Sequence, residues 1–164
     1  MDVEIRPIQN SDAESFRLAL DSVAKEKEYL LLEEAPPIDS VRFFIANNIE
    51  KGYPQFVAVK NDAVIGWADL IPPDLPGLKH SARLGMGVIK YYRGMGLGSA
   101  LLKSVIDAAV GSGFVRLELE VYTANQKAIS LYKRFGFEEE GKKTRYRYID
   151  GRYYDALIMA RIIA

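Results

Sequence analysis

Residues 93–99, Arg-Gly-Met-Gly-Leu-Gly-Ser, decide the fold of this chain. The apolar residues 84–89 just before them predict a short buried strand, and from about Leu97 onward apolar residues recur at helical spacing. Glycines at alternate positions on the threshold of a helix let bare backbone approach a ligand. The unpaired N–H groups and partial positive charge of a helix start favour a phosphate or pyrophosphate. The stretch therefore predicts a strand, an anion-binding turn and a helix.

A second motif follows that helix. After a predicted strand at residues 116–122, residues 125–137 read Asn-Gln-Lys-Ala-Ile-Ser-Leu-Tyr-Lys-Arg-Phe-Gly-Phe. Helical spacing puts four of them on one face: Asn125, Ala128, Tyr132 and Phe135. Arg-x-x-Gly-x-Gly followed by Asn-x-x-Ala-x-x-Leu-Tyr-x-x-x-Gly-Phe resembles the GNAT superfamily of acetyl-CoA-dependent N-acetyltransferases, and the resemblance extends along nearly the whole chain.

The rest of the chain predicts one α/β unit, a single domain over residues 1–164 with a mixed sheet around the strand–helix–strand centre. The resemblance implies a GNAT-like, mostly antiparallel sheet with flanking helices. The first helix is expected from Ser11 or Asp12 to about Glu28, with Glu14 placed for a capping box. A second helix is expected at about 39–51, and the other strands at 3–8, 55–60, 63–71, 144–149 and 152–162.

Composition excludes several classes of protein. The chain has no cysteine and a single histidine, which leaves no thiolate or multi-histidine metal site and no thiol nucleophile. Lysine plus arginine equal aspartate plus glutamate at 22 each, so no nucleic-acid partner is expected, although residues 142–148 interleave basic and aromatic side chains. No run is long and apolar enough to span a membrane, and the start is unlike a signal peptide. A cytoplasmic protein is expected.

The resemblance assigns roles to residues of both motifs. The turn would hold the pyrophosphate of acetyl-CoA, and strand residues would hydrogen-bond the pantetheine arm and polarise the acetyl carbonyl. Tyr132 would protonate the departing thiolate; it is otherwise one of ten tyrosines that simply pack, and Asn125 has a second interpretation as a helix N-cap. The expected cofactor-binding residues are Met86, Gly87, Val88, Arg93, Gly94, Met95, Gly96, Leu97, Gly98, Ser99, Asn125, Ala128 and Tyr132.

The general base stays open. Many relatives carry a glutamate on the central strand, whereas residues 84–87 here contain no carboxylate. Asp69 stands in an apolar strand with Trp67 on the same face, where the ring could hold a cation. Glu120 is a second candidate base, and the base could also be a water chain or one of four other residues: Glu33, Glu34, His80 and Glu118. The candidate substrate-binding residues are Glu33, Glu34, Trp67, Asp69, His80 and Glu118, each of which has a purely structural alternative.

The resemblance implies an N-acetyltransferase that moves acetyl directly to a primary amine in a ternary complex. The acceptor is expected to be a small molecule, an amino acid or a related amine, with a protein N-terminus or lysine as the alternative. A homodimer is expected by analogy. Two other classes stay open: a non-catalytic acyl-CoA sensor, and a nicotinamide oxidoreductase, which the position of the glycine turn late in the chain disfavours.

Overall fold

The computed structural model of the protein describes residues 2–164. Seven strands form one sheet, and in chain order they are β1 (Glu4–Pro7), β2 (Gln55–Lys60), β3 (Ala63–Ile71), β4 (Ser81–Val88), β5 (Arg116–Tyr122), β6 (Glu138–Ile149) and β7 (Arg152–Ile162). Their spatial order is β1-β2-β3-β4-β5-β7-β6. Only β4 and β5 are parallel neighbours. The predicted α/β class with a mixed, mostly antiparallel sheet is confirmed.

Four helices cover the two faces of the sheet: α1 (Ala13–Ala24), α2 (Ile38–Lys51), α3 (Leu97–Ala109) and α4 (Gln126–Arg134). On one face α1 and α2 bury a cluster that includes Phe16, Ile45 and Trp67. On the other face α3 and α4 bury the larger cluster, which includes Leu101 and Leu117. Within residues 2–164, none of the helices combines the length and apolar character that crossing a membrane requires.

Two tight hairpin turns join strands that the sequence predicts next to each other. Asn61 and Asp62 join β2 to β3 with φ of 49° and 62°, and Asp150 and Gly151 join β6 to β7 with φ of 50° and 77°. Paired left-handed residues match the right-handed twist of the flanking strands, and Asn, Asp and Gly adopt that conformation at least cost. Local turn chemistry therefore sets both registers.

The bounds of α1 differ from the prediction. The helix ends at Ala24 because Lys27 turns left-handed at φ 59°, so residues 25–28 leave the helical path. A capping box forms instead at the 3-10 turn Asn10–Asp12 that precedes the helix, where the Gln9 N–H donates to the Asp12 carboxylate at 2.8 Å. Glu14 takes no part in that box, and its carboxylate pairs with Arg42 at 3.1 Å.

Two strands begin earlier than predicted. β4 starts at Ser81, and β6 starts at Glu138 instead of Thr144. β6 is an edge strand, largely exposed on both faces, with register shifts at two places, so its first half lacks the apolar alternation that predicts a strand. In the proline-rich loop before β4, Pro76–Leu78 form a short 3-10 turn where no regular structure was expected.

Candidate active site

A gap opens between β4 and β5 at the centre of the sheet. The two strands pair only where Ser81–Arg83 lie beside Arg116–Glu118, and beyond that point they separate. The Ile89 N–H donates to the Ile65 carbonyl, so alternate residues of β4, including Gly87, direct their backbone groups toward β3. Met86 and Val88 therefore direct theirs into the gap. Backbone donors there can bind an extended ligand as a further strand would.

Gly87 has a steric role instead. A β-carbon at this position would lie 2.5 Å from the Trp67 ring, which packs directly on the glycine. Trp67 also meets the Phe16 ring edge to face at 5.7 Å and is 3% exposed. Protein therefore covers nearly all of the Trp67 ring, and only a small part of it lines the cavity on the α1 side of the sheet, so little surface is available for the expected cation contact. The backbone groups of Gly87 point toward β3 and not into the gap, so they are not placed for the expected contact with the pantetheine arm.

The glycine turn leads from the gap into α3. Gly94 and Gly96 have φ of 77° and 83°, the left-handed region that other residues rarely adopt, and Gly96 is the N-cap of α3. The first N–H groups of the helix point toward a cavity of about 300 Å³. Residues of the gap, the turn and α4 line this cofactor cavity, among them Met86, Gly87, Val88, Arg93, Gly94, Gly96, Leu97, Gly98, Asn125, Ala128 and Tyr132.

The Arg93 guanidinium already has protein partners. Its Nη1 and Nη2 donate to the two Glu26 carboxylate oxygens at 2.8 and 2.5 Å, and its Nε donates to the Val88 carbonyl at 2.8 Å. The guanidinium also lies 4.6 Å from the centre of the Tyr29 ring. The hydrogen bonds from Glu26 raise the pKa of Arg93 further. Arg93 thus ties the end of α1 to the glycine turn, and its charge is neutralised without any phosphate.

Asn125 and Tyr132 belong to α4. The Asn125 side chain accepts from the Ala128 N–H at 3.3 Å, so the N-cap interpretation is correct, and the residue also lines the cofactor cavity. Tyr132 is 9% exposed, and among residues 2–164 no group hydrogen-bonds its hydroxyl. Burial raises the pKa of Tyr132 to about 12. The phenol therefore stays protonated at neutral pH and can donate.

A second cavity of about 350 Å³ adjoins the first on the α1 side of the sheet. Four residues line both cavities: Tyr29, Met86, Asn125 and Tyr132. Leucines at 30–32, between α1 and α2, form an apolar wall, and Arg83 and Glu120 supply charges of opposite sign. We call this the acceptor cavity. It combines an apolar wall with one carboxylate and one guanidinium.

The two carboxylate oxygens of Glu120 have different surroundings. Its Oε1 accepts from the Lys143 ammonium at 2.6 Å and pairs with Arg83, whereas Oε2 is buried and has no hydrogen-bond partner among residues 2–164. Desolvation pushes the pKa of Glu120 up, but hydrogen bonds from Lys143 and Tyr146 and the charge of Arg83 outweigh it and leave the pKa lowered. Glu120 is therefore an ionised acceptor with one unused oxygen.

Asp69 lies in a separate recess. Its carboxylate packs against the backbone of Gly85, and burial raises its pKa to about 7. The recess also contains Glu118, whose carboxylate pairs with Arg116 at 3.0 Å. Asp69 has the pKa of an effective base, yet it does not line the acceptor cavity.

A family model described as Acetyltransferase (GNAT) family matches residues 15–137. This chain belongs to the GNAT family. The L-amino acid N-acetyltransferase AaaT of Escherichia coli K12 is 35% identical over 112 residues, which cover 68% of this chain and 69% of that protein. The alanine N-acetyltransferase of ribosomal protein bS18 from the same organism is 44% identical over 70 residues, 42% of this chain and 47% of that protein.

A solved structure supports the same assignment. The GNAT acetyltransferase of Streptococcus pneumoniae superposes with a TM-score of 0.92 at 27% identity, covering 99% of this chain and 100% of that one. The protein is thus an acetyl-CoA-dependent N-acetyltransferase, and the predicted resemblance is confirmed.

The cofactor cavity fits the acetyl-CoA that a GNAT enzyme uses. The backbone groups of Met86 and the N–H of Val88, which point into the gap, match the amides of an extended pantetheine arm, and the glycine turn offers helix N–H groups to a pyrophosphate. A β-carbon at Gly98 would make only ordinary contacts, the nearest at 3.5 Å, so the turn is open rather than filled. Among residues 2–164 no group of three or more acidic, histidine or cysteine side chains is placed to hold a metal ion.

Several predicted residues are not brought to the GNAT site. Met95 and Ser99 belong to the turn but do not line the cofactor cavity. His80 is exposed at the start of β4, where its carbonyl accepts from the Val115 N–H at 2.8 Å. Glu33 and Glu34 are exposed and line neither cavity. Glu118 lies in the Asp69 recess.

Sequence reasoning missed other lining residues. Tyr29, Lys127 and Leu131 line the cofactor cavity, and Arg83 and Tyr146 line the acceptor cavity. Lys127 and Leu131 lie inside the 125–137 motif, so their position on the same helix as Asn125 and Tyr132 is the signal that could have identified them. Arg83, Tyr29 and Tyr146 come from three distant segments, and no local spacing links them.

Proposed function

We propose that this GNAT enzyme transfers acetyl from acetyl-CoA directly to the primary amine of a small molecule, an amino acid or a related amine, within a ternary complex. The observation that carries the proposal is the junction of the two cavities at Met86, Asn125 and Tyr132. A thioester in one cavity and an amine in the other meet beside a buried tyrosine hydroxyl and free backbone N–H groups. Those are the groups that acyl transfer to nitrogen requires.

In the proposed reaction the amine nitrogen bonds to the acetyl carbonyl carbon as the carbon–sulfur bond breaks. The Met86 N–H in the gap stabilises the negative charge that develops on the carbonyl oxygen. The Tyr132 hydroxyl gives its proton to the departing sulfur, and the phenolate is reprotonated by the proton that the nitrogen loses as the amide forms. The chain has no cysteine, so an acyl-cysteine intermediate has no nucleophile.

Glu120 is the favoured base among the candidates. It lines the acceptor cavity, it is ionised at neutral pH, and its Oε2 has an unused acceptor position. An ammonium in the cavity can donate to the Glu120 carboxylate directly or through one water and lose its proton to it. Asp69 packs against Gly85, and Gly85 lines the acceptor cavity whereas Asp69 does not. We assign Asp69 no direct contact with the acceptor.

The charges of the acceptor cavity favour a zwitterionic acceptor. Glu120 suits an ammonium, and the Arg83 side chain, half exposed, has N–H donors left for a carboxylate. The leucine wall suits an apolar side chain. An L-amino acid combines these three features, and the relative from Escherichia coli is named an L-amino acid N-acetyltransferase.

The direct test is thiol release from acetyl-CoA with a panel of acceptors at equal concentration. L-amino acids, their methyl esters, simple alkylamines, and peptides with a free N-terminus would be compared. Turnover with amino acids that falls at least about tenfold for the esters supports the proposal, since a charge-assisted hydrogen bond is worth about 1.5–3 kcal/mol. No turnover with any small amine contradicts it.

The alternative acceptor is a protein N-terminus. One relative is named for acetylating an alanine of ribosomal protein bS18, over a matched region that includes fewer than half of this chain's residues. In the same panel, turnover with alanine-initiated peptides but not free alanine favours this alternative. Binding of acetyl-CoA without transfer to any acceptor favours the sensor.

A further inference from the structure

The hairpin between β6 and β7 contacts the segment that forms the wall of the acceptor cavity. We call residues 27–32 the wall segment; it contains no helix or strand, and Leu31 and Leu32 are 54% and 43% exposed. Arg147 of β6 is 9% exposed and reaches this segment from 115 or more residues away in sequence. Its Nη1 donates to the Lys27 carbonyl at 3.1 Å, and its Nη2 donates to the Leu31 carbonyl at 3.4 Å.

The Arg147 guanidinium has no acidic partner. Among residues 2–164 no carboxylate oxygen lies within the 4.0 Å of an ion pair. The guanidinium lies 5.7 Å from the centre of the Tyr122 ring and donates hydrogen bonds to the two carbonyls. A buried cation is costly unless its donors are satisfied, so these two backbone carbonyls carry most of the compensation.

The geometry of the two hydrogen bonds restrains the wall segment. The two bonds reach the carbonyls of Lys27 and Leu31, at either end of a five-residue stretch. Both donors belong to one planar guanidinium, so the distance between them is fixed. Between them the Tyr122 hydroxyl donates to the Leu30 carbonyl at 3.4 Å. The other link to the hairpin, Lys27 with Asp150 at 3.3 Å, is exposed and weak. Arg147 is therefore the main buried anchor.

We propose that Arg147 is a positioning residue that holds the wall segment in place and so sets the affinity for the acceptor. It lines neither cavity and touches neither substrate, so it acts through residues 30–32. This inference rests on the proposed function in one respect, that the cavity behind the wall segment receives the amine.

The kinetic test compares Arg147→Gln with Arg147→Lys and with Arg145→Gln. Arg145 is an exposed arginine of the same strand whose guanidinium lies over the Tyr153 ring, 5.2 Å from its centre. Losing two charge-assisted hydrogen bonds is expected to raise the acceptor KM about tenfold or more in Arg147→Gln, with the acetyl-CoA KM and kcat changed by less than about threefold. Arg147→Lys restores the charge but not the fork and is expected between Arg147→Gln and wild type. The control Arg145→Gln matches wild type.

Hydrogen exchange tests the same contact without activity. The hydrogen-bonded amides of Lys27 and Ala35, at the start of the wall segment and just after it, are expected to exchange about tenfold faster in Arg147→Gln than in wild type, while those of β3 and β5 are unchanged. If wild type acetylates no amine, the proposed function fails and exchange alone decides the anchor. A folded Arg147→Gln protein with wild-type acceptor KM and wild-type exchange overturns the inference. Should Arg147→Gln not fold, Arg147→Lys supplies both readouts.

Discussion

The six-membered ring of Trp67 lies against the backbone of Gly87, and a β-carbon on Gly87 would come within 2.5 Å of it. This contact joins β3 to the strand that opens the gap. The Trp67 ring contacts both Gly87 and Phe16. A displacement of this ring would therefore change the position of β4, to which Gly87 belongs. The contact therefore couples packing on the α1 side to the backbone groups that receive the cosubstrate.

Gly87→Ala tests that coupling. The added methyl meets a rigid ring rather than a flexible chain end, so we expect a loss of about 1–3 kcal/mol in the free energy of unfolding, together with weaker acetyl-CoA binding. Denaturant unfolding and calorimetric titration measure the two effects. Gly141→Ala is the matched control, because Gly141 also lies in a strand, its nearest new contact is 3.8 Å, and it lines neither cavity. Unaltered stability of Gly87→Ala would contradict the packing account.

Tyr132→Phe removes the proposed acid while keeping the ring and its contact with Phe137 at 5.9 Å. General acid catalysis typically contributes about 100-fold or more, so kcat is expected to fall by that factor while the affinity for acetyl-CoA changes little. Thiol-release assays measure kcat, and calorimetric titration measures the affinity for acetyl-CoA. Equal kcat in variant and wild type rules out the acid role.

Glu120→Gln tests the proposed base. Since the pKa of Glu120 is lowered, the wild-type enzyme keeps this carboxylate ionised through the neutral range, and the acidic limb of kcat/KM is expected well below pH 7. The variant is expected to lose about 100-fold in kcat/KM at neutral pH. If the acidic limb instead has its midpoint near pH 7 and vanishes in Asp69→Asn, Asp69 is the base.

Asp69 is expected to govern stability rather than turnover. Its folded-state pKa of about 7 lies above the ordinary 3.8, so the folded protein binds the proton more tightly than the unfolded chain does. The free energy of unfolding therefore falls as pH rises from about 4 to about 7, by up to ~4 kcal/mol, and is level above that range. Asp69→Asn removes this slope. Urea unfolding at several pH values measures it, and an equal slope in both proteins refutes the assignment.

Arg83→Gln tests the zwitterionic acceptor. Without the guanidinium, the KM for an L-amino acid is expected to rise about tenfold or more, whereas the KM of the corresponding amine, which lacks the carboxylate, changes much less. The loss of Arg83 also changes the surroundings of Glu120. That effect is the same for both acceptors, so it cancels when the change in KM for the amino acid is compared with the change in KM for the amine. If both KM values rise by the same factor, Arg83 does not bind the carboxylate of the acceptor and acts only as an ion-pair partner of Glu120.

Much of this molecule follows from local sequence. The glycine turn, the N-cap Asn125 and the two hairpin turns depend on dihedrals and capping groups of neighbouring residues, so their positions are readable without any tertiary contact. The family motif is local in the same way. It identifies the cofactor side of the site, while the homodimer, the cytoplasmic location and the single-domain span stay predictions.

Tertiary structure decided the acceptor side. Arg93, predicted for a phosphate, pairs with Glu26 because the end of α1 approaches the turn, a contact across 67 residues of sequence. Glu120 rather than Asp69 faces the acceptor cavity because β4 and β5 separate beyond Arg83. Such contacts depend on how strands and helices pack, which no residue spacing encodes. The sequence by itself therefore determined the fold and the cosubstrate, and only the packing of distant segments decided which charges meet the amine.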